Sequence, residues 1–259
     1  MLIDSHCHID FEKLQTNITK VMANAQNSGV EKMLSAGVTI KAFPNLYDII
    51  SNYDNVFCSV GTHPHYAGDE DEKKVTLEEL IEFSKRPKVI AFGECGFDFY
   101  YNHSSKSEQE EILIKHINAA QETGLPIIIH TRDADEDAAR VLIESYKNKE
   151  FKGVIHCFTS GYDFAMKMLD VGFYISASGI ITFNTADEIR QTIKEVPLNR
   201  LLVETDSPYL APIPHRGKTN EPSFVKLVAE KLAEIKGVSL EEISNITSQN
   251  FMRLFEKCQ

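Results

Sequence analysis

The chain has 259 residues, 42% of them hydrophobic, which is enough for one large core, and single α/β barrels commonly reach this length. Its 27 basic and 38 acidic residues leave a net charge of −11, which argues against a broad electrostatic footprint on nucleic acid but leaves room for a local basic pocket. No apolar stretch approaches the roughly 18 to 20 residues that span a bilayer, and no charged leader or cleavage site precedes the first strand, so a single cytoplasmic domain over 1–259 without membrane contact is expected, most simply a monomer.

In chain order, eight short β-branched or apolar runs alternate with amphipathic segments: Leu2–Asp4, Lys32–Ala36, Val56–Val60, Val89–Gly93, Pro126–Ile129, Gly153–Ile155, Phe173–Ser176 and Arg200–Val203. The first leads into Ser5-His6-Cys7-His8. Side chains on a strand repeat their facing every second residue, so both imidazoles can address one ion while Cys7 points away. The third run leads into Thr62-His63-Pro64-His65, with the same spacing, and the fourth into Glu94. A helix containing Glu108–Ala120 follows and stops at Gly124, ahead of Pro126. The fifth, sixth and eighth runs end at His130, His156 and Glu204-Thr205-Asp206. A Pro-rich loop carrying Arg216 and Lys218 comes next. Two final helices start near Pro222 and at Ser239, where Ser239 and Glu242 fit a capping box.

This alternation predicts an α/β fold, a (β/α)8 TIM barrel with additional C-terminal helices. An open doubly wound sheet would give no reason for ligand-type residues to recur on the first, fourth, fifth, sixth and eighth strands, whereas barrel closure brings those strand ends to one mouth. The five cysteines lack framework spacing and read as reduced thiols. Cys7, Cys95 and Cys157 each adjoin a stronger candidate ligand and should face the other way along the strand.

The recurring residues are those that hold divalent cations. Glu94 has two oxygens and can bridge two ions, His130 and His156 offer neutral nitrogens, and Asp206 offers an anionic oxygen. Four histidines and two carboxylates suffice for two ions with positions left for water. Glu204 shares the facing of Asp206 one layer deeper, either orienting a ligand or packing in the barrel. His63 and His65 reach the mouth without being needed for the metal count. One of them could bind a phosphate or, protonated, donate to a leaving oxygen, with His63 the better placed; both could equally be loop histidines. Arg132 shares the facing of His130 and could bind a phosphate bidentately; Arg216 is a similar candidate and Lys218 could bind one as a point charge, the alternative for each being a solvated surface charge. Tyr100, beside Tyr101 and Phe99, could stack a base or pack under its loop. His103, His116 and His215 have no ligand partner in phase and read as surface residues.

Asp4-Ser-His-Cys-His, Gly61-Thr-His-Pro-His, Gly93-Glu-Cys-Gly-Phe-Asp-Phe-Tyr, His130-Thr-Arg-Asp, His156-Cys-Phe, Glu204-Thr-Asp-Ser-Pro and Arg216-Gly-Lys-Thr-Asn-Glu-Pro together resemble the successive signatures of the TatD family of metal-dependent deoxyribonucleases, among the amidohydrolase-like barrels. The resemblance covers essentially the whole chain. It implies that His6, His8 and Asp206 hold one metal, that His130 and His156 hold a second, and that Glu94 bridges them. It further implies Mg2+-supported hydrolysis of DNA, chiefly from the 3′ end, with single-stranded DNA ends as the partner. Zn2+, Ni2+ or Mn2+ would also suit these ligands. Asp206 is the expected proton acceptor beside the water nucleophile. Small departures occur at Cys7 and Cys95, neither of which should touch a metal. The same site would activate water against an amide, an ester or an aminoacyl nucleic acid, which stands as the alternative substrate class.

Overall fold

The eight apolar runs become eight parallel strands, and in the computed structural model, which describes residues 1–258, they hydrogen-bond in sequence order. These are β1 (Leu2–Cys7), β2 (Val30–Ser35), β3 (Val56–Val60), β4 (Val89–Asp98), β5 (Ile127–Arg132), β6 (Gly153–Ile155), β7 (Tyr174–Ala177) and β8 (Leu201–Val203). Helices join them, which gives the expected (β/α)8 TIM barrel. Three strands outrun their apolar residues. At the mouth the side chains turn polar while the ladder continues, pairing Gly96 with His130 and Asp98 with Arg132 between β4 and β5.

No ladder joins β8 to β1 among the described residues. A single bridge between Cys7 and Ser207 spans that seam, flanked by Asp206 N–H to His6 O at 2.9 Å and His8 N–H to Ser207 O at 2.8 Å. Lower down, the Asp4 carboxylate accepts from the Thr205 amide at 2.8 Å and its hydroxyl at 2.6 Å. The backbone that carries Asp206 is therefore tied to the strand that carries His6 and His8.

The end of the barrel away from this mouth is apolar. Ile3, Leu34, Ile90, Ile128, Val154, Tyr174 and Leu202 form one buried cluster with Phe251, Leu254 and Phe255 from the C-terminal end of the chain. The last long helix, Leu240–Leu254, thus plugs the barrel floor, each buried Leu or Phe contributing about 1.5–3 kcal/mol. Local signals explain the helix ends. Ser105 and Glu108 form a reciprocal capping box at the start of Lys106–Thr123, and Gly124 ends that helix in the left-handed region at φ 76°. Ser239 caps Leu240–Leu254 through the Glu242 amide at 3.1 Å, but the exposed Glu242 side chain does not return the bond, so the expected box is only half formed.

Candidate metal centre

In β5, β6 and β8 an interior residue is followed two positions later by a mouth residue: Ile128 by His130, Val154 by His156, and Leu202 by Glu204. Asp206 sits two further along, in a turn with φ 55°. In β1 the register shifts between Asp4 and Cys7, where the strand passes from packing Ile3 into the floor to presenting His6 and His8 at the mouth. The Nε2 atoms of His6 and His8 lie 3.3 Å apart, and Cys7 Sγ points away to Leu34 O at 3.4 Å, as strand phase requires.

Glu94 stands between two groups of side chains. Its Oε1 lies 2.7 Å from His156 Nε2, 2.8 Å from His130 Nδ1 and 3.4 Å from His63 Nε2. Its Oε2 lies 3.2 Å from His6 Nε2 and 3.8 Å from His8 Nε2. Asp206 Oδ1 joins the latter group, 3.5 Å from His8 Nε2 and 3.8 Å from His6 Nε2. The fit to a cation can be tested on the chain itself. His130 Nδ1 and His156 Nε2 face each other at 3.2 Å, as the two β1 histidines do at 3.3 Å, and with the outer nitrogens protonated each pair converges as two lone pairs, an arrangement that a cation between them satisfies. Imidazole nitrogen with carboxylate oxygen is a donor set for divalent transition metals and for Mg2+.

Two carboxylates fix which nitrogens face inward. Asp98 Oδ2 lies 3.3 Å from His130 Nε2, and Glu204 Oε1 lies 3.2 Å from His156 Nδ1, so each acid accepts the outer N–H and leaves the inner nitrogen a lone pair. Glu204 Oε1 also accepts the Cys157 amide at 2.8 Å. Of the two roles read for Glu204, orienting a ligand is the one its contacts perform. Asp98 escaped the sequence reading although it lies in phase with Glu94, four residues on along β4. His6 Nδ1 and His8 Nδ1, by contrast, are buried without a partner among the described residues.

The electrostatics follow from this crowding. Burial works to raise the Glu94 carboxyl, but His156, His63 and His6 outweigh it and hold it well below the carboxylate range. Burial likewise opposes charge on His156, yet with no cation bound Glu94 and Glu204 raise it well above an ordinary histidine, so its inner nitrogen presents the lone pair once a cation takes the place of that proton. At Asp206 the pull of burial is overcome by the His8 contact and by the charges of His156 and His6, so it too is lowered. Burial pushes His63 down to about 4 despite the pull of Glu94.

A cavity of about 710 Å³ opens over the cluster, lined among others by His8, His63, His65, Glu94, His130, Arg132, His156 and Asp206. His65 lines it while its Nε2 contacts Asp98 Oδ2 at 2.9 Å. The guanidinium of Arg132 sits 4.1 Å above the Tyr100 ring and 5.1 Å from that of Tyr101; Tyr101 borders the cavity and Tyr100 does not. Arg216 stacks on Phe183 at 3.7 Å and Lys218 is exposed, both outside the cavity wall. One histidine read as a surface residue is not: His116 is buried, its Nε2 accepting the Thr62 amide at 3.2 Å. His103 is exposed, as read, and borders the cavity against Tyr101 and His65. His215 packs flat on Phe224 at 4.2 Å.

The barrel and the donor set together define a metal-dependent hydrolase. Within that class the chain belongs to the TatD family: the family model described as TatD related DNase matches residues 3–256. The uncharacterized metal-dependent hydrolase YcfH of Escherichia coli K12 is 44% identical over 257 residues, covering 98% of this chain and 95% of its own. The uncharacterized metal-dependent hydrolase YabD of Bacillus subtilis is 40% identical over 255 residues, covering 98% and 99%. The crystal structure of YjjV, a TatD homologue from E. coli K12, superimposes with a TM-score of 0.87 at 27% identity over 98% of both chains. No helix among the described residues is long and apolar enough to cross a membrane.

Proposed function

We propose that this hydrolase is a deoxyribonuclease that cleaves phosphodiester bonds of single-stranded DNA from the 3′ end with two divalent cations, Mg2+ supporting activity. The observation that carries this reading is the split of Glu94, whose Oε1 faces His130 and His156 while its Oε2 faces His6 and His8. A carboxylate so placed suits a bridge between two cations, and such a pair clamps the attacking and leaving oxygens of a phosphoryl displacement.

When bound, the cations would supply a water of lowered pKa and neutralise charge on the scissile phosphate. The chain's own residues do the rest. Asp206, 14% exposed where Glu94 is 3%, is the more open of the two carboxylates that face the cation positions and takes the proton of the attacking water. Asp98 and Glu204 hold the His130 and His156 rings in one tautomer. Arg132 stands on the cavity wall with its guanidinium available to a non-bridging phosphate oxygen, and Tyr101 and His103, stacked at 5.7 Å, offer flat faces to a terminal base. Arg216 and Lys218 lie farther out, suited to the trailing strand. Five free cysteines suit a reducing cytosol, and a monomer presents the whole mouth to a DNA end.

The test is an assay of 3′-labelled single-stranded and duplex DNA with Mg2+, Mn2+ or EDTA, beside a panel of esters, amides and aminoacyl nucleic acid. Stepwise shortening from the 3′ end, lost with EDTA and in Glu94→Ala, is expected. Intact DNA alongside cleaved acyl substrate, with the metal positions filled, overturns the reading in favour of an amide or ester hydrolase.

A further inference from the structure

We propose that His63 is a neutral hydrogen-bond donor to an oxygen of the group being hydrolysed, its ring held as the Nε2–H tautomer by its own turn, and that it is neither a metal ligand nor a proton donor. The inference rests on the hydrolytic reading of the site and is indifferent to whether the substrate is a phosphoester or an acyl compound.

His63 Nε2, Glu94 Oε1 and a nitrogen of His130 lie close enough together to hold a cation, so position alone would make His63 a further ligand. The other ring nitrogen decides otherwise. His63 precedes the short 3-10 turn Pro64–Tyr66; Pro64 has no N–H to offer, and the next donor, the His65 amide, points at His63 Nδ1 at 3.1 Å. An accepting nitrogen carries a lone pair. A proton on Nδ1 would set two N–H groups against each other, which excludes both the imidazolium and the Nδ1–H form. The single ring proton is therefore on Nε2, and a ligand bond through Nε2 would require an imidazolate.

That Nε2–H is underused inside the protein. Its acceptor, Glu94 Oε1, is 3.4 Å away, longer than the roughly 2.7–2.9 Å of a hydrogen bond to a carboxylate, and the same oxygen has His156 and His130 at 2.7 and 2.8 Å. The ring borders the cavity, so a substrate oxygen arriving beside Glu94 finds a donor already aimed. A neutral imidazole does not part with this proton at neutral pH, but it stabilises negative charge developing on an oxygen. Such a donor must not move, and its backbone is fixed on both sides. The His63 amide donates to Val38 O at 2.8 Å, the Thr62 amide to His116 Nε2 at 3.2 Å, and the Thr62 hydroxyl to the buried Glu72 carboxylate at 2.6 Å. His116 and Glu72 thus act as positioning residues for the turn.

Zn2+-loaded protein labelled with 15N-histidine gives the direct test by NMR, with His63 assigned from the signals missing in His63→Asn. The expected spectrum shows a protonated Nε2 and an unprotonated Nδ1 coupled to the His65 amide. His63→Asn and His63→Gln should retain the wild-type metal content by mass spectrometry after dialysis. On whichever substrate is turned over, kcat should fall about 10²- to 10³-fold with both limbs of the pH profile kept. A lost metal equivalent, a proton on Nδ1, or disappearance of the alkaline limb alone would each overturn the proposal. If the variants fail to fold, the proton positions in the wild-type spectrum, assigned through the His65 amide, decide it. Absence of DNA cleavage would sink the nuclease reading while leaving the tautomer and metal tests in force.

Discussion

The two sides of Glu94 hold the same kinds of ligand by different means. On the β5/β6 side, His130 and His156 each give their outer nitrogen to a buried carboxylate, Asp98 or Glu204, so ring orientation and tautomer are set before any cation arrives. On the β1/β8 side, His6 and His8 have outer nitrogens with no partner among the described residues, and ring contacts hold them instead: His6 stacks on His156 at 4.0 Å and His8 on Phe11 at 4.7 Å. A carboxylate partner both orients an imidazole and makes its inner nitrogen more basic, whereas a stacked ring only orients it. The two proposed cation positions should therefore bind unequally, the β5/β6 position more tightly.

The change with the largest expected effect removes what the two sides share. Glu94→Ala should bring turnover to background and abolish tight binding at both positions, measured by activity and by metal content after dialysis; retention of one tightly held equivalent would show that the sides do not depend on a common bridge. In the wild-type protein, chelator titration followed by metal analysis should release two classes separated by up to about 10- to 100-fold in affinity, the scale on which outer carboxylates tune such ligands. Asp98→Asn and Glu204→Gln should then weaken the tighter class by about 10- to 100-fold and leave the weaker one in place. If either variant loosens the weaker class instead, the assignment of sides is reversed.

How much of this was legible beforehand depended on whether local periodicity or tertiary contact decided the position. His130, His156, Glu204 and Asp206 could be read because the period of two in β5, β6 and β8 carries from floor to mouth without interruption. Asp98 was missed because strand length was judged from apolar residues, which end at Gly93, while the backbone pairing of β4 runs to Asp98 itself. His116 was read as a surface residue because no ligand-type residue lies in phase with it; its partner is instead the Thr62 amide just beyond β3, a contact between distant segments that local periodicity does not carry. Arg132 was legible by phase. Which of the neighbouring Tyr100 and Tyr101 borders the cavity was not, since that depends on an irregular loop with Asn102 at φ 51°.

The smallest effect is expected where orientation rests on packing alone. Phe11 lies nearly parallel to the His8 ring, at an interplanar angle of 18°, and it borders the cavity without offering a donor atom. Phe11→Leu keeps an apolar neighbour but removes the flat face, so His8 gains freedom that a cation must suppress on binding. An aromatic contact of this kind is worth about 0.5–1.5 kcal/mol, equivalent to roughly 2- to 10-fold in affinity. The loss should fall on the weaker class alone, read by the same chelator titration, with the tighter class unchanged because Asp98 and Glu204 still hold its ligands. A change of 100-fold would mean that Phe11 orients His8 as firmly as a carboxylate would, and the contrast between the two sides would disappear.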